Sequence, residues 1–501
     1  FKHKADGSGV FEAGQHPIIV GQAAYNSAYG TSFVSSSWCN SPSASATTRC
    51  DGYARISEQG GSPFSFNTLK NPTTKKQIVL QPKAIHDEMN AATFDEFGRM
   101  TANLGVEAVP ATAAGQSIVL YPYVNPSTEL IDATNLPKGD VGVTPVGLAD
   151  DGSQIWKITH NGVDTHPIHF HLYDVQVLNR VTWDNIIIPP DANELGWKDT
   201  VRTSPLEDTI VALRPIIPSL PFELPNSIRP LDPMMPLNMA SPSFNNIDQN
   251  GNPTNAIVNK LVNFGWEYVY HCHILSHEEM DMMRPVSVAL PPIVPTGLVL
   301  DPATKKLSWN DNSITETEFV VQRTTDGTNW TDIGTSASPL DQANTHGVRS
   351  IVDSTFDING SYQYRVIARN TIGYGAEFMS MTVQSVSQAL SYAPQPPPAP
   401  ANLVAAYQAT LRAVLTWGNT PNETGFVVQR SADGVTFNNL VTLGQNVTTY
   451  TDTTLAFDGR YSYRVYAFNG GGNSPMSNVA AITTPPTTPS ALVATYQVGP
   501  P

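Results

Sequence analysis

Cysteine and positive charge are both scarce in this chain. Only three of its 501 residues are cysteine, and 28 lysine and arginine residues stand against 43 aspartate and glutamate residues, a net charge of −15. Nucleic-acid binding needs clustered lysine and arginine, so the composition argues against a nucleic-acid partner. The sequence also lacks a run of eighteen apolar residues, which argues against a transmembrane segment.

Proline and glycine, by contrast, are abundant. The chain has 41 prolines and 35 glycines, and only 14% of its residues are charged. Together with many valines, threonines and serines, this composition favours strands and turns and predicts an all-β protein. One segment, "KAIHDEMNAATFDEFGRM" (83–100), is predicted to be helical. The length allows three or four domains, each with its own core.

The three cysteines divide into a pair and a single residue. Cys39 and Cys50 flank the small, polar segment "NSPSASATTR" and form either a disulfide or two free thiols. A disulfide fits an exported protein, so we expect an extracellular, cell-surface or periplasmic location. Cys272 is then left alone, as a metal ligand would be.

An internal repeat occupies the C-terminal part of the chain. "TEFVVQRTTDG" (317–327) recurs as "TGFVVQRSADG" (424–434), and Trp309 and Trp417 each precede the shared block. Short alternating strands with an early buried tryptophan are typical of a seven-strand sandwich. The two units resemble fibronectin type III domains. We assign them to residues 291–392 and 401–486, with a stiff proline-rich linker at 393–400 and the start of a truncated third repeat at 487–501.

The segment before the repeats divides in two. Residues 115–290 alternate strand-like runs with proline-rich loops, which predicts a second kind of β-sandwich. Residues 1–114 are rich in glycine, serine and alanine, and we predict an irregular segment that packs on a neighbouring domain.

Six of the eleven histidines fall into two clusters, "HPIHFH" (166–171) and "HCHILSH" (271–277). Side chains alternate faces along a strand, so His271 and His273 point one way and Cys272 the other. One strand therefore serves two metal sites. A thiolate, two imidazoles and a distant thioether form the trigonal site that blue copper prefers. Cys272, His277 and Met282 supply three of these ligands, and the candidate for the fourth is His166, which stands apart beyond a proline.

These clusters carry a family resemblance. "THPIHFHLYDVQVLNR", "GWKDTV" (196–201) and "HCHILSHEEMDMMRP" resemble the C-terminal copper motifs of multicopper oxidases, especially bacterial spore-coat laccases and large bacterial manganese-oxidising relatives. The resemblance implies a cupredoxin-type Greek-key sandwich. By position it implies a type 1 copper on His166, Cys272, His277 and Met282, a type 2 copper on His169, and a type 3 pair on His171, His271 and His273.

The resemblance also implies roles outside the ligand set. Cys272, His271 and His273 would conduct electrons between the copper sites. Glu278 matches a carboxylate that delivers protons toward the oxygen site, the alternative being a solvated surface acid.

One departure from the family pattern concerns the three-copper cluster. A complete oxidase of this family holds it with eight histidines, four of them in His-x-His pairs near the N-terminus. This chain has no such pair before residue 150; His3, His16, His86 and His160 are single and are predicted to be surface or core residues. We therefore expect an N-terminal segment or a second chain with two His-x-His motifs to complete the cluster.

The predicted function is an oxidase that removes single electrons from a reducing substrate and passes four to O2, giving water. A cupredoxin-type electron carrier, a copper nitrite reductase, and an extracellular scaffold protein with fibronectin-like modules are the alternatives. Relatives act on phenols, Mn(II) and Fe(II). The acidic residues Glu278, Glu279 and Asp281, together with the net charge, favour a metal ion.

Overall fold

The computed structural model describes most of the chain beyond residue 117 and short stretches before it. The described residues are 65–67, 77–87, 98, 102–108, 117–134, 136, 152 and 154–499, apart from 189, 192, 195, 196, 241, 343, 344, 492 and 498. Cys39 and Cys50, His3 and His16, and most of the predicted irregular segment 1–114 lie outside these residues.

The described chain is almost entirely β, and the all-β prediction is confirmed. The N-terminal sandwich and its loops contain β1 (Ser65–Asn67), β2 (Gln77–Val79), β3 (Gln81–His86), β4 (Asn103–Ala108), β5 (Ser117–Leu120), β6 (Glu129–Asp132), β7 (Gln154–His160), β8 (His166–Phe170), β9 (Tyr173–Thr182), β10 (Ile187–Ile188), β11 (Thr200–Thr203), β12 (Glu207–Pro215), β13 (Ile228–Pro230), β14 (Leu261–Asn263), β15 (Trp266–Cys272), the short helix α1 (Leu275–Glu278) and β16 (Met283–Ala289).

Two further units follow. The first contains β17 (Thr296–Asp301), β18 (Lys306–Asp311), β19 (Glu318–Thr324), β20 (Thr331–Ala337), a 3-10 turn (Leu340–Gln342), β21 (Gly347–Val352), β22 (Tyr362–Gly373), β23 (Ser380–Val386) and β24 (Leu390–Tyr392). The second contains β25 (Val404–Gln408), β26 (Arg412–Thr416), β27 (Gly425–Ser431), β28 (Asn438–Gly444), β29 (Thr449–Asp452), β30 (Arg460–Asn469), β31 (Gly472–Asn473) and β32 (Ala480–Thr483). Among the described residues, no helix is long and apolar enough to span a membrane.

The N-terminal sandwich has a seven-stranded and a five-stranded sheet. The larger has the order β10-β9-β12-β7-β3-β4-β5, and the smaller has the order β11-β8-β15-β16-β6. Its core surrounds Trp156, whose ring makes edge contacts with Phe170, Tyr173 and Tyr270 at centroid distances of 5.8, 5.6 and 5.1 Å. Each such fully buried aromatic side chain contributes about 1.5–3 kcal/mol through the hydrophobic effect. Both sheets therefore meet over one core.

The larger sheet takes in strands that lie before residue 115. β3 pairs in parallel with β7, from Gln81 with Trp156 to Ile85 with His160, and β4 pairs with both β3 and β5. The helix predicted near 83–100 is wrong for its first residues, which form β3 instead. Pairing with a strand about seventy residues away overrides the local helix preference of this segment, because Ala84 and Ile85 become completely buried there.

The two repeat units are structural copies of each other. Each has a three-stranded sheet (β17-β18-β21 and β25-β26-β29) facing a larger one (β20-β19-β22-β23 with β24 on β22, and β28-β27-β30-β31 with β32 on β30). The two tryptophans are buried in equivalent places, Trp309 against Phe319 and Trp417 against Phe426. The shared sequence blocks therefore mark shared core positions.

The proline-rich segment between the repeats contains no strand or helix in the described structure. Its buried residues are Pro394, Pro397 and Pro400, a spacing of three. A polyproline helix has three residues per turn, so the spacing fits one proline-rich face packed along a neighbour. Asn469 supports this packing by donating a hydrogen bond to the Gln395 carbonyl at 2.8 Å.

The first repeat packs closely on the N-terminal sandwich. Buried Asn370 donates to the Leu290 carbonyl at 3.0 Å and accepts hydrogen bonds from Asn226 and Asn263. An apolar cluster crosses the same boundary; its members are Leu130, Ala289, Ile372 and Val383. The N-terminal sandwich and the first repeat are therefore packed against each other, and near residue 290 the chain passes from one to the other.

Candidate metal centre

Three buried side chains converge inside the N-terminal sandwich. His166 begins β8, Cys272 ends β15, and His277 lies on α1. The Cys272 sulfur is 3.4 Å from His166 Nδ1 and 3.9 Å from His277 Nδ1, and the three ligand atoms lie within 4.8 Å of one another. We call these residues the thiolate group.

The chemistry of the thiolate group suits a copper ion. Burial lowers the pKa of His166 to about 4 and lowers that of His277, so both imidazoles are neutral and have a lone pair to donate. Burial raises the pKa of the Cys272 thiol to about 11. The Ile274 N–H, 3.3 Å from the sulfur, has the opposite effect on this pKa because it stabilises the thiolate. One thiolate and two imidazoles in a buried pocket are the ligand set of a blue-copper site.

Met282, the predicted axial ligand, is completely buried in the same core. Its carbonyl accepts a hydrogen bond from the Cys272 N–H at 3.1 Å, and its own N–H donates to the His277 carbonyl at 3.0 Å. Asp281, just before it, has a φ of 60°, a left-handed conformation that aspartate tolerates better than most residues. This tight turn returns the chain from α1 to the pocket.

Four histidines form a second group on the opposite face of the smaller sheet. β8 and β15 are antiparallel neighbours with His169 directly opposite His271, and the ring of His273 lies 5.0 Å from that of His169. His171 Nε2 is 3.3 Å from His271 Nε2. Burial, and then the neighbouring histidines, lower the pKa of His171. We call these four residues the imidazole group.

Strand alternation explains why the two groups are separate. Along β8, His166, Ile168 and Phe170 are buried in the core, whereas His169 is only half-buried on the other face. Along β15 and just beyond it, Cys272 faces the core opposite Ile168, and His271 and His273 flank it on the other face. The structure therefore gathers the predicted histidine and cysteine ligands into two groups, and it buries Met282 in the same core as the thiolate group.

Glu278 lies beside the imidazole group. Its Oε1 is 3.7 Å from His271 Nδ1, and that same nitrogen is 3.2 Å from the Cys272 carbonyl oxygen. The carboxylate remains partly exposed. It therefore lies between solvent and the edge of the imidazole group.

Sequence reasoning missed several residues that support the ligands. The Asp199 carbonyl accepts a hydrogen bond from His169 Nδ1 at 2.8 Å, which leaves Nε2 of that ring to bind a metal. Asp199 lies within "GWKDTV", so the motif contained the signal. Asp87 and His160 form a further cluster with His166. Both lie outside the motifs, and no local pattern points to them.

His160 and His86, single histidines in the sequence, have different surroundings, and only His160 lies in a cluster with Asp87 and His166. His160 is completely buried, accepts a hydrogen bond from the Gly162 N–H at 3.2 Å and donates one to the Asp164 carbonyl at 2.5 Å. His86 ends β3 and is half-buried.

Comparison with known proteins finds similarity to multicopper oxidases in this part of the chain. Residues 123–219 match the family model described as multicopper oxidase, a range that contains His166, His169 and His171. Together with laccase homologues at low identity, this match supports a multicopper oxidase.

The individual relatives are distant. The laccase of Bacillus subtilis is 26% identical over 152 residues, which cover 28% of this chain and 21% of that protein. The laccase of Haloferax volcanii is 27% identical over 139 residues, covering 28% and 16%. Multicopper oxidase LPR1 homolog 3 of Oryza sativa is 23% identical over 256 residues, covering 45% and 43%. The chain thus spans less than half the length of each of these relatives.

Solved structures match only part of the chain. An Fn3-like protein from Clostridium thermocellum is 30% identical, with 18% of this chain and 97% of that chain covered and a TM-score of 0.17. A two-domain fibronectin type III segment of chicken tenascin is 15% identical, covering 38% and 99%, with a TM-score of 0.23.

Proposed function

We propose that this chain is the C-terminal part of a multicopper oxidase that takes single electrons from a reducing substrate and passes them to a trinuclear copper centre, where O2 is reduced to water. One observation carries the proposal. Cys272 of the thiolate group lies between His271 and His273 of the imidazole group, so adjacent residues of one chain segment serve two metal sites on opposite faces of a sheet.

The residues divide the work between the two groups. His166, Cys272, His277 and Met282 would hold a type 1 copper; the imidazole group would hold type 2 copper through His169 and the type 3 pair through His171, His271 and His273. Bound copper would supply one-electron redox chemistry at both places. The backbone joins Cys272 directly to His271 and His273. The Cys272 carbonyl oxygen also contacts His271 Nδ1, so a covalent path and a hydrogen-bonded path connect the two groups.

Protons are the second requirement of O2 reduction. Glu278 can hold a proton at Oε1, 3.7 Å from His271 Nδ1, and its exposed edge allows it to be reloaded from solvent. A side chain in this position serves as a proton donor beside the oxygen site.

The imidazole group also argues against the alternative function of a simple electron carrier. A carrier would need only His166, Cys272, His277 and Met282. It would have no use for four histidines gathered on the opposite face with ring centroids about 5 Å apart. The same group distinguishes the chain from an inert scaffold protein.

The imidazole group contains four of the eight histidines that a complete cluster uses. We propose that an N-terminal segment or a second chain supplies the others from two His-x-His motifs. The fibronectin-like units serve as spacers or attachment modules in an extracellular, cell-surface or periplasmic setting. Among the described residues, none of the three side-chain groups that could hold a metal ion lies in these units.

For the substrate we propose Mn(II) or Fe(II) ahead of phenols. Glu279 and Asp281 are exposed within four residues of His277, and the net charge of −15 attracts cations.

Steady-state oxidation by the complete enzyme should therefore be faster with the metal ions than with a phenol at equal concentration. Glu279→Gln should slow metal oxidation while leaving phenol oxidation unchanged. Failure of the complete enzyme to oxidise either metal ion would count against a metal substrate, whereas equal rates in parent and variant would only remove Glu279 from metal recognition.

Met282→Leu should raise the reduction potential of the type 1 copper while leaving it bound. A thioether donates weakly to the metal and favours its oxidised form, whereas a hydrocarbon donates nothing. We expect at least a tenfold change in the one-electron equilibrium constant, about 59 mV. Redox titration of the blue absorption measures the change. Met280→Leu, in the same turn, is the control, and an equal shift in both variants would remove Met282 from the axial role.

A further inference from the structure

A completely buried carboxylate lies behind the thiolate group. Asp87, the residue after β3, is 0% exposed, and its Oδ2 is 3.2 Å from His166 Nε2. The other nitrogen of that ring, Nδ1, faces the Cys272 sulfur at 3.4 Å. The imidazole of His166 is thus held between a carboxylate on one side and the thiolate on the other.

Asp87 also holds the loop that leads into His166. Its carboxylate accepts hydrogen bonds from the Val163 N–H at 2.8 Å and from the Asp164 N–H at 3.0 Å. The ring of His160 bonds the same loop through Gly162 and Asp164. Hydrogen bonds therefore join the loop before His166, the Asp87 carboxylate and the His166 ring into one unit.

Gly162 is the residue that makes room for this carboxylate. A Cβ at position 162 would lie 1.8 Å from Asp87 Oδ1, far inside van der Waals contact. Any side chain at this position would have to displace the carboxylate from the loop and from His166.

The position of Asp87 results from strand pairing. β3 lies parallel to β7, with Ile85 opposite His160, so the residue two places after Ile85 emerges beside the loop between β7 and β8. A segment remote from the copper motifs in sequence thereby enters the metal centre.

We propose that Asp87 is a positioning residue of the type 1 site. By accepting the Nε2–H of His166 it selects the tautomer whose Nδ1 carries the lone pair for copper. Its negative charge makes the imidazole a stronger donor and favours Cu(II) over Cu(I). Carboxylates bonded to metal-binding histidines have both effects, and their removal commonly costs 10–100-fold in metal affinity. This inference rests on the proposed function, because it assumes copper in the thiolate group.

Asp87→Asn tests the proposal in the copper-loaded chain. The amide keeps the shape of the side chain but loses the charge, and it cannot accept all of these hydrogen bonds. We expect about a tenfold lower Cu(II) affinity. We also expect a tenfold shift of the one-electron equilibrium toward Cu(I), which corresponds to about 59 mV in the potential. Competition with a copper chelator and redox titration of the blue band measure the two effects.

Asp232→Asn is the matched control. Asp232 is also buried, and it accepts hydrogen bonds from the Met234 N–H and the Ser243 hydroxyl, away from the copper ligands. This variant should keep the parental potential even if its thermal stability falls. Gly162→Ala is a second probe, because it displaces the carboxylate without removing its charge, and it should raise the potential in the same direction as Asp87→Asn.

The outcomes separate the inference from the function on which it rests. A parental chain that binds Cu(II) without a blue band would overturn the proposed function. A blue parent with an unchanged potential and Cu(II) affinity in Asp87→Asn would overturn only the role of Asp87. If Asp87→Asn does not fold, an unchanged potential in Gly162→Ala leads to the same conclusion.

Discussion

Replacing Cys272 by serine should abolish the intense visible absorption of the copper-loaded chain and, in the complete enzyme, should stop substrate oxidation. The absorption requires a copper–thiolate bond, and Cys272 is the only cysteine within reach of His166 and His277 among the described residues. Oxidation stops because the path toward His271 and His273 begins at that sulfur. Absorption spectroscopy at one copper per chain and steady-state assays of the complete enzyme are the measurements.

His169→Gln provides the contrast on the other face of the sheet. This variant removes a ligand of the imidazole group but none of the thiolate group, so it should remain blue while the complete enzyme loses O2 reduction. A blue band that survives Cys272→Ser, or one that disappears in His169→Gln, contradicts the assignment of the two faces.

Loaded with copper on its own, the chain should turn blue, accept one electron and then stall without consuming O2. The four proposed type 1 ligands lie within residues 166–282; His166, Cys272 and His277 lie together, and Met282 is buried in the same core as Cys272. The imidazole group has only four of the eight histidines that a complete cluster uses. Metal held by half of its ligands is exposed and easily lost. Copper content per chain and oxygen uptake, measured together, test this expectation.

Addition of a polypeptide with two His-x-His motifs should restore turnover, and the same polypeptide with these histidines changed to alanine should not. A chain that by itself retains about four coppers and reduces O2 steadily contradicts the proposed division of the cluster.

The predicted helix near 83–100 shows where local patterns fail in this protein. Residues 83–86 belong to β3, and their environment is set by β7, about seventy residues further along the chain. Local propensity contains no information about such a partner. Asp87 therefore had no signal in the sequence, although it lies 3.2 Å from the predicted ligand His166.

The separation of the histidines, in contrast, was predictable from local geometry. His169 and His171 lie an odd number of residues from His166, and His271 and His273 lie on either side of Cys272. The two-residue period of a strand puts such positions on opposite faces in any sheet. The tandem repeats could also be predicted from the sequence, because shared sequence blocks mark shared core positions.

The sequence by itself thus determined the all-β class, the candidate ligand residues and the opposite strand faces of Cys272 and His271, because these follow from composition, from the two histidine clusters and from a period of two residues. The tertiary structure alone decided which remote elements meet. It placed β3 and Asp87 behind His166, put Asp199 against His169, and packed the first repeat on the N-terminal sandwich through Asn370. These contacts join residues 30 to 144 positions apart, and only the folded packing of sheets specifies such pairs.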